Sequence, residues 1–228
     1  MTGSDSALVL FSGGQDSTTC LFWSINRFRE VYALSIDYGQ RHALELDSAR
    51  TIAKMAGVSH QVLKFDFFSA VGETALTGSK SVSDLDLTPG SESANEGLPS
   101  TFVPGRNLIF ITLAAAIAYE KGMKHLVTGV CQTDYSGYPD CRDDTMKALQ
   151  VALNLGMESA FVLHTPLMWL TKRETVLMAQ AEGAMQALAH SHTCYRGVSP
   201  PCGQCAACIL RAKGFKEANL KDPLLPSL

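Results

Sequence analysis

The 228-residue chain has no run approaching the roughly 20 consecutive apolar residues that a membrane-spanning helix needs. Its N-terminus, Met1-Thr2-Gly3-Ser4-Asp5-Ser6, has no basic residue. The apolar run 7–11 that follows is too short for the core of a secretory signal. The chain therefore reads as cytoplasmic, with no membrane partner. A large charge excess is also missing: 19 Lys and Arg against 22 Asp and Glu leave a formal net charge of -3. That excludes a broad electrostatic grip on nucleic acid, which is not an expected partner. The seven cysteines are an odd number, and a reducing compartment argues against a disulfide framework. There is no internal repeat, and no low-complexity tract beyond one polar stretch at 80–104.

What remains is ample for a core. A chain of this length buries roughly 70% of its unfolded surface, and it suits one domain with a small appendage. Apolar residues make up 46% and charged ones 18%, as in an ordinary globular protein. Short apolar runs at 7–11, 31–36, 60–65, 126–130 and 161–165 predict buried strands. Helical spacing predicts helices at 17–28, 41–55, 108–121, 143–155 and 171–181, with Thr171 and Glu174 forming a capping box. Strands alternating with helices predict an α/β fold, a doubly wound parallel sheet of about five strands. Two regions break the rhythm. The Ser-, Asp-, Gly- and Pro-rich stretch 80–104 is a long loop. The stretch 190–208 is rich in cysteine, and a terminal helix is predicted at 209–219. The expected division is a catalytic domain at 1–189 and a small metal-binding subdomain at 190–228.

The first strand runs into Ser12-Gly13-Gly14-Gln15-Asp16-Ser17, with a helix starting near Asp16. Glycines allow backbone N–H groups to face an anion closely, and the helix N-terminus adds partial positive charge. Hydroxyls of Ser12 and Ser17 supply further donors. No lysine follows as it would in a Walker loop, so nothing here pulls on a γ-phosphate with an ammonium group. That suits a chemistry in which pyrophosphate leaves as a unit and AMP is transferred. The bland alternative is a plain glycine-rich βα turn.

Cys194-x7-Cys202-x2-Cys205-x2-Cys208 places four thiols within fifteen positions. Cys202-Gly203-Gln204-Cys205 has the form of a zinc knuckle, and four sulfurs with no open position indicate a structural tetrahedral zinc. An iron–sulfur cluster is the rival, because Cys-x2-Cys-x2-Cys also occurs in ferredoxins. Unmetallated cysteines are the other alternative.

In open parallel sheets ligands bind beyond the carboxyl ends of the strands. Four polar segments fall there: 37–42 with Glu45, 102–107, 134–142 and 165–173. Within them Asp37, Tyr38, Gln40, His42, Glu45, Phe102, Asn107, Asp134, Tyr138 and Asp140 are candidate substrate-binding residues. Tyr38, Phe102 and Tyr138 offer flat surfaces for a purine-like ring, and the carboxylates can accept from ring N–H and amino groups. Arg106 and Lys172, with Asp16, are the candidate catalytic groups, the two cations neutralising phosphate charge as it builds. Each has an ordinary alternative: Asp37 as a helix cap, His42 as an exposed helix residue, Arg106 and Lys172 as surface charges.

Together these residues resemble the 7-cyano-7-deazaguanine synthases of the PP-loop ATP pyrophosphatase superfamily. The resemblance rests on 11–20, 37–42, 102–107, Ser136-Gly137-Tyr138-Pro139-Asp140-Cys141-Arg142, and Cys194-Tyr195 through the knuckle to Lys213-Gly214-Phe215. Ser191-His192-Thr193 departs from the Trp-Ser expected before the first ligand cysteine, leaving the ligand spacing intact. The resemblance implies a Rossmann-like PP-loop fold and 7-carboxy-7-deazaguanine, ammonia and ATP with Mg²⁺ as substrates. It implies an ATP stretch of Leu10, Phe11, Ser12, Gly13, Gly14, Gln15, Asp16, Ser17, Thr18, Thr19 and Cys20, and a homodimer. The chain has no room for a glutaminase domain, so ammonia comes free or from a separate supplier. Two rival functions stand beside it. A tRNA-thiolating PP-loop enzyme would need an RNA-binding extension and a sulfur-carrying cysteine, for which only Cys20, Cys131 and Cys141 lie outside the cluster. A zinc-knuckle nucleic-acid-binding module would leave the phosphate loop and the long α/β body unexplained.

Overall fold

The computed structural model describes residues 5–39, 44–65, 102–133 and 137–225. Five parallel strands form one sheet: β1 (Ser6–Leu10), β2 (Glu30–Asp37), β3 (Ser59–Lys64), β4 (His125–Val127) and β5 (Val162–His164), in the order β3-β2-β1-β4-β5. Seven α-helices are described: α1 (Gln15–Ile25), α2 (Leu44–Ala56), α3 (Arg106–Glu120), α4 (Asp143–Gly156), α5 (Lys172–Ala181), α6 (Met185–Leu188) and α7 (Ala206–Glu217).

Strand alternation sorts the core into two layers. Ala7 and Val9 of β1, continued by Phe11, pack against Cys20 and Leu21 of α1 and Ala49, Ile52 and Ala53 of α2. Leu8 faces the other way, against Ile111, Ala114, Ala115 and Ala118 of α3 and Met146 and Leu153 of α4. Both faces of the sheet are therefore covered, which is why β1 is apolar at nearly every position. The chain leaves β1 toward β2 and β3 on one side, and later adds β4 and β5 on the other. This reversal opens a crevice at the carboxyl ends of β1 and β4, the usual ligand site of such sheets.

The doubly wound sheet agrees with the sequence reading, and the boundaries shift for local reasons. Helix α1 starts at Gln15 rather than 17, because Gly14 takes an extended N-cap conformation directly after β1. Strand β5 is shorter than 161–165: the Asn154 side chain accepts from Phe161 N at 2.6 Å and donates to Phe161 O at 3.0 Å, withdrawing that residue from the ladder. The Thr171 capping box is present, with Thr171 N donating to Glu174 Oε2 at 2.8 Å and Glu174 N to Thr171 Oγ1 at 3.3 Å. The terminal helix begins at Ala206 rather than 209, with Cys205 as its N-cap. A 3-10 turn, Pro139–Cys141, and the short α6 have no counterpart in the sequence reading.

Helix α7 docks on α5. Phe215 packs with Val176, Ala179 and Leu188, and a Cβ at Gly214 would lie 2.9 Å from Lys172 O. Among the described residues no helix is long and apolar enough to cross a membrane. Most of the 80–104 stretch lies outside the described residues, as do Gln40, His42 and Asp134.

Candidate functional site

The loop after β1 is shaped by its own hydroxyls. Ser12 N donates to Ser17 Oγ at 3.3 Å, Gly14 N to Ser12 Oγ at 3.3 Å, and Ser17 Oγ to Gly14 O at 3.2 Å. No side chain caps the first turn of α1, so its N–H groups remain for an anion. Gly13 sits at φ +82, and a Cβ there would lie 2.6 Å from both Ala49 N and Glu45 O of α2. Only glycine lets α2 approach this closely. Gly129, beyond β4, approaches from the other side, where a Cβ would be 3.2 Å from Asp16 C and 3.3 Å from Ser17 N.

Three buried polar atoms at this helix end have no hydrogen-bond partner among the described residues: Gln15 Nε2, Asp16 Oδ1 and Thr18 Oγ1. Such orphans are rare in folded chains and costly. Asp16 uses its other oxygen on Lys172 Nζ, 2.8 Å away, with side-chain exposures of 29% and 16%. Lys172 is thus no free surface charge: α5 delivers it to the loop after β1 across 156 positions of sequence. Thr18, Thr19 and Cys20 are fully buried. Thr19 Oγ1 bonds back to Gln15 O at 3.0 Å, so these side chains seat α1 in the core.

A second group gathers at the start of α3. Arg106 is flanked by Tyr38, Tyr138, Asp140 and Cys141. Burial opposes its charge, but these neighbours more than offset that and raise its pKa. Burial pushes the Glu45 carboxyl up to about 7, with Arg106 pulling the other way. Burial likewise raises Tyr38. Asp140, itself buried, accepts from Asn107 N at 2.9 Å, and Asn107 Nδ2 reaches Cys141 Sγ at 3.3 Å. Phe102 and Tyr138 pack at 5.6 Å between ring centroids, and Tyr38 meets Phe110 at 5.2 Å. Asp37 Oδ1 accepts from Gly39 N at 3.3 Å, a local turn bond rather than a helix cap. The Glu45 carbonyl, 2.6 Å from where a Gly13 Cβ would stand, joins this group to the loop after β1.

The four cysteines converge as well. The sulfurs of Cys194, Cys202, Cys205 and Cys208 all lie within 4.8 Å of one another and could hold a metal ion. Backbone N–H groups of Gln204 and Cys205 point at Cys202 Sγ, at 3.4 and 3.3 Å. The hydrogen bond between Cys208 and Cys205 pulls the Cys205 thiol down and pushes the Cys208 thiol up. The two N–H groups aimed at Cys202 Sγ suit a thiolate ligand.

The sequence matches the family model described as queuosine biosynthesis protein QueC over residues 6–219. The chain belongs to this family. It is 60% identical to a 7-cyano-7-deazaguanine synthase of Laribacter hongkongensis, over 97% of this chain and 95% of that one. It is 59% identical to one from Chromobacterium violaceum (97% and 93% covered) and 51% identical to one from Bacteroides fragilis (93% and 95% covered). The chain is therefore an ATP-dependent enzyme of queuosine biosynthesis, as the motif resemblance implied, rather than a tRNA-thiolating enzyme or a zinc-knuckle binding module.

Three positions in the chain carry contacts that sequence reasoning did not assign to the site. Gly129 did leave a trace, because a glycine within a strand pattern often marks close backbone approach. His192 donates its backbone N–H to Gly13 O at 3.0 Å. Arg211, 5% exposed, grips Asp222 through Nε and Nη2 at 2.6 and 2.8 Å, and its Nη1 reaches Ser191 Oγ at 2.7 Å. His192 is marked in the sequence only as part of the departure at 191–193, and nothing local marks Arg211.

Proposed function

We propose that this chain converts 7-carboxy-7-deazaguanine and ammonia to 7-cyano-7-deazaguanine, using ATP twice in one pocket. In the first activation a carboxylate oxygen attacks the α-phosphate of ATP and pyrophosphate leaves. Ammonia then attacks the acyl adenylate, AMP departs with the carboxyl oxygen, and an amide results. The amide oxygen attacks the α-phosphate of a second ATP, again releasing pyrophosphate. Loss of AMP and of the remaining N–H protons closes the C≡N bond.

The observation that carries this reading is the phosphate loop. It has an uncapped helix N-terminus, no Walker lysine, and orphaned Gln15, Asp16 and Thr18 atoms at the sheet's crevice. Ser12, Gly13, Gly14, Gln15, Asp16 and Ser17 would hold the pyrophosphate, with Leu10, Phe11, Thr18, Thr19 and Cys20 supporting that stretch. Lys172 and Arg106 would neutralise charge on the leaving group as it develops. Asp16 orients Lys172, and its orphaned oxygen suits a Mg²⁺ that accompanies the triphosphate and screens its charge. No covalent enzyme nucleophile is required, so rate enhancement rests on positioning and charge. Asp37, Tyr38, Gln40, His42, Glu45, Phe102, Asn107, Asp134, Tyr138 and Asp140 would bind the deazapurine.

The metal at the knuckle is read as zinc with a structural role. Tetrahedral Zn–S bonds of about 2.3 Å place sulfurs about 3.8 Å apart, and Cys202 Sγ and Cys208 Sγ lie 4.0 Å apart. The chain is read as two units, 1–189 and 190–228, working as a cytoplasmic homodimer without nucleic-acid or membrane partners.

The test is the nucleotide product. Incubation with substrate, ammonium and ATP should give AMP and pyrophosphate, and formation of ADP and phosphate instead would end the adenylation scheme. Lys172→Ala should lower turnover at least about a hundredfold, the usual effect of losing one transition-state charge partner, while zinc stays at one ion per chain. Near-normal turnover would remove Lys172 from the site.

A further inference from the structure

The segment 191–194 lies between the cysteine knuckle and the proposed phosphate loop: its hydroxyls serve Arg211, and the backbone of His192 serves the loop. Ser191 Oγ and Thr193 Oγ1 both accept from Arg211 Nη1, at 2.7 and 3.2 Å. Arg211 stands on α7, whose N-cap is the ligand cysteine Cys205, and is fixed by its paired bonds to Asp222. Cys194 is itself one of the four converging thiols. The segment is thus gripped on both sides of His192 by the knuckle and its helix.

His192 turns to the loop. Its backbone N–H donates to Gly13 O at 3.0 Å. Its carbonyl lies against Gly14, where a Cβ would be 3.4 Å from His192 O. Its ring, buried, donates through Nε2 to Cys194 O at 3.2 Å, tying the residue back to the ligand that follows it. Gly13 also meets α2, where a Cβ would lie 2.6 Å from Ala49 N and Glu45 O. The loop therefore meets both α2 and a strap that is tied to the knuckle. Binding an anion with backbone N–H groups depends on holding them in place beforehand, since ordering a loop at the moment of binding lowers affinity.

We propose that the metal knuckle, acting through His192, positions the phosphate loop for ATP, so that His192 is a positioning residue and the knuckle does more than hold the tail. The proposal rests on the reading of residues 12–17 as the ATP loop and of the four cysteines as a zinc site. Zinc fixes Cys194, Cys194 and Arg211 fix His192, and His192 fixes Gly13 and Gly14. The residue identity at 192 matters because an imidazole can bond to Cys194 O while its backbone serves the loop.

The test is the ATP dissociation constant of the zinc-loaded protein, measured by calorimetry without the second substrate. His192→Ala should weaken ATP binding about tenfold, the scale of one lost hydrogen bond and its positioning effect. It should raise KM for ATP with kcat little changed, and leave one zinc per chain. His192→Asn, whose amide can still donate to Cys194 O, should recover most of the affinity. Unchanged ATP affinity in His192→Ala with zinc in place would overturn the proposal. If that variant misfolds, hydrogen exchange on the unaltered protein decides. Chelation should free the amides of 12–17 and His192 while those of β1 stay protected. Equal protection of 12–17 with and without zinc would overturn the proposal. If the unaltered protein binds no ATP, the ATP-loop reading fails instead, and the exchange arm alone judges the coupling.

Discussion

Gly13→Ala will lower kcat/KM for ATP by at least about a hundredfold, because displacing catalytic groups by an ångström has effects of that order. The cause is steric and specific. A Cβ at position 13 would stand 2.6 Å from Ala49 N and Glu45 O and 3.0 Å from Ala49 Cα, and all three are backbone atoms of α2. No side-chain rotation relieves that clash, and φ +82 is itself unfavourable for alanine. Either α2 retreats, carrying Glu45 with it, or the loop shifts away from the anion. Gly14→Ala provides the control. Among the described residues its Cβ would meet only His192 O and Ser12 Oγ, both at 3.4 Å, so its loss should be much smaller. Steady-state kinetics on both variants checks the order. Equal activity of Gly13→Ala and the unaltered protein would mean that the loop is not held as described.

Asp222→Asn will lower stability by about 3–5 kcal/mol, the usual cost of leaving one partner of a buried ion pair. For a chain of this size that is a fall in Tm on the order of 10 °C. The pair is well enclosed, with side-chain exposures of 5% for Arg211 and 7% for Asp222. Arg211 also serves Leu188 O at 3.1 Å, Ser191 Oγ and Thr193 Oγ1, so one guanidinium organises the whole approach to the knuckle. Replacing both partners together, Arg211→Met with Asp222→Leu, should be milder than the single change, because no buried charge is then stranded. Thermal unfolding of the three variants decides. A Tm for Asp222→Asn within about 2 °C of the unaltered protein, less than one kcal/mol by the same conversion, would show the pair to be dispensable.

What the sequence made legible was local or periodic. β1 is readable because burial on both faces forces an unbroken apolar run. The phosphate loop is readable because its glycines and serines are contiguous, and the knuckle because its cysteines are regularly spaced. The family resemblance rested on those same segments. The contacts that complete the site join residues far apart in the chain. Lys172 meets Asp16 across 156 positions, and Arg211 meets Ser191 across 20. No spacing rule reports such pairs. The case of 191–193 is instructive. As sequence, Ser191-His192-Thr193 is only a departure from an expected Trp-Ser. In the fold, both hydroxyls accept from Arg211 and the residue between them supports Gly13. Strand ends were misjudged where a side chain competes for the backbone, as Asn154 does at Phe161.

The central claim is that one phosphate loop serves two successive adenylations. The most direct measurement is the ratio of AMP formed to nitrile formed, with the product identified by mass spectrometry, from 7-carboxy-7-deazaguanine, ammonium and excess ATP. The account predicts two AMP and two pyrophosphate for each nitrile, with the amide appearing as an intermediate that the same enzyme consumes. A ratio of one, or an amide that accumulates as the final product, would contradict it.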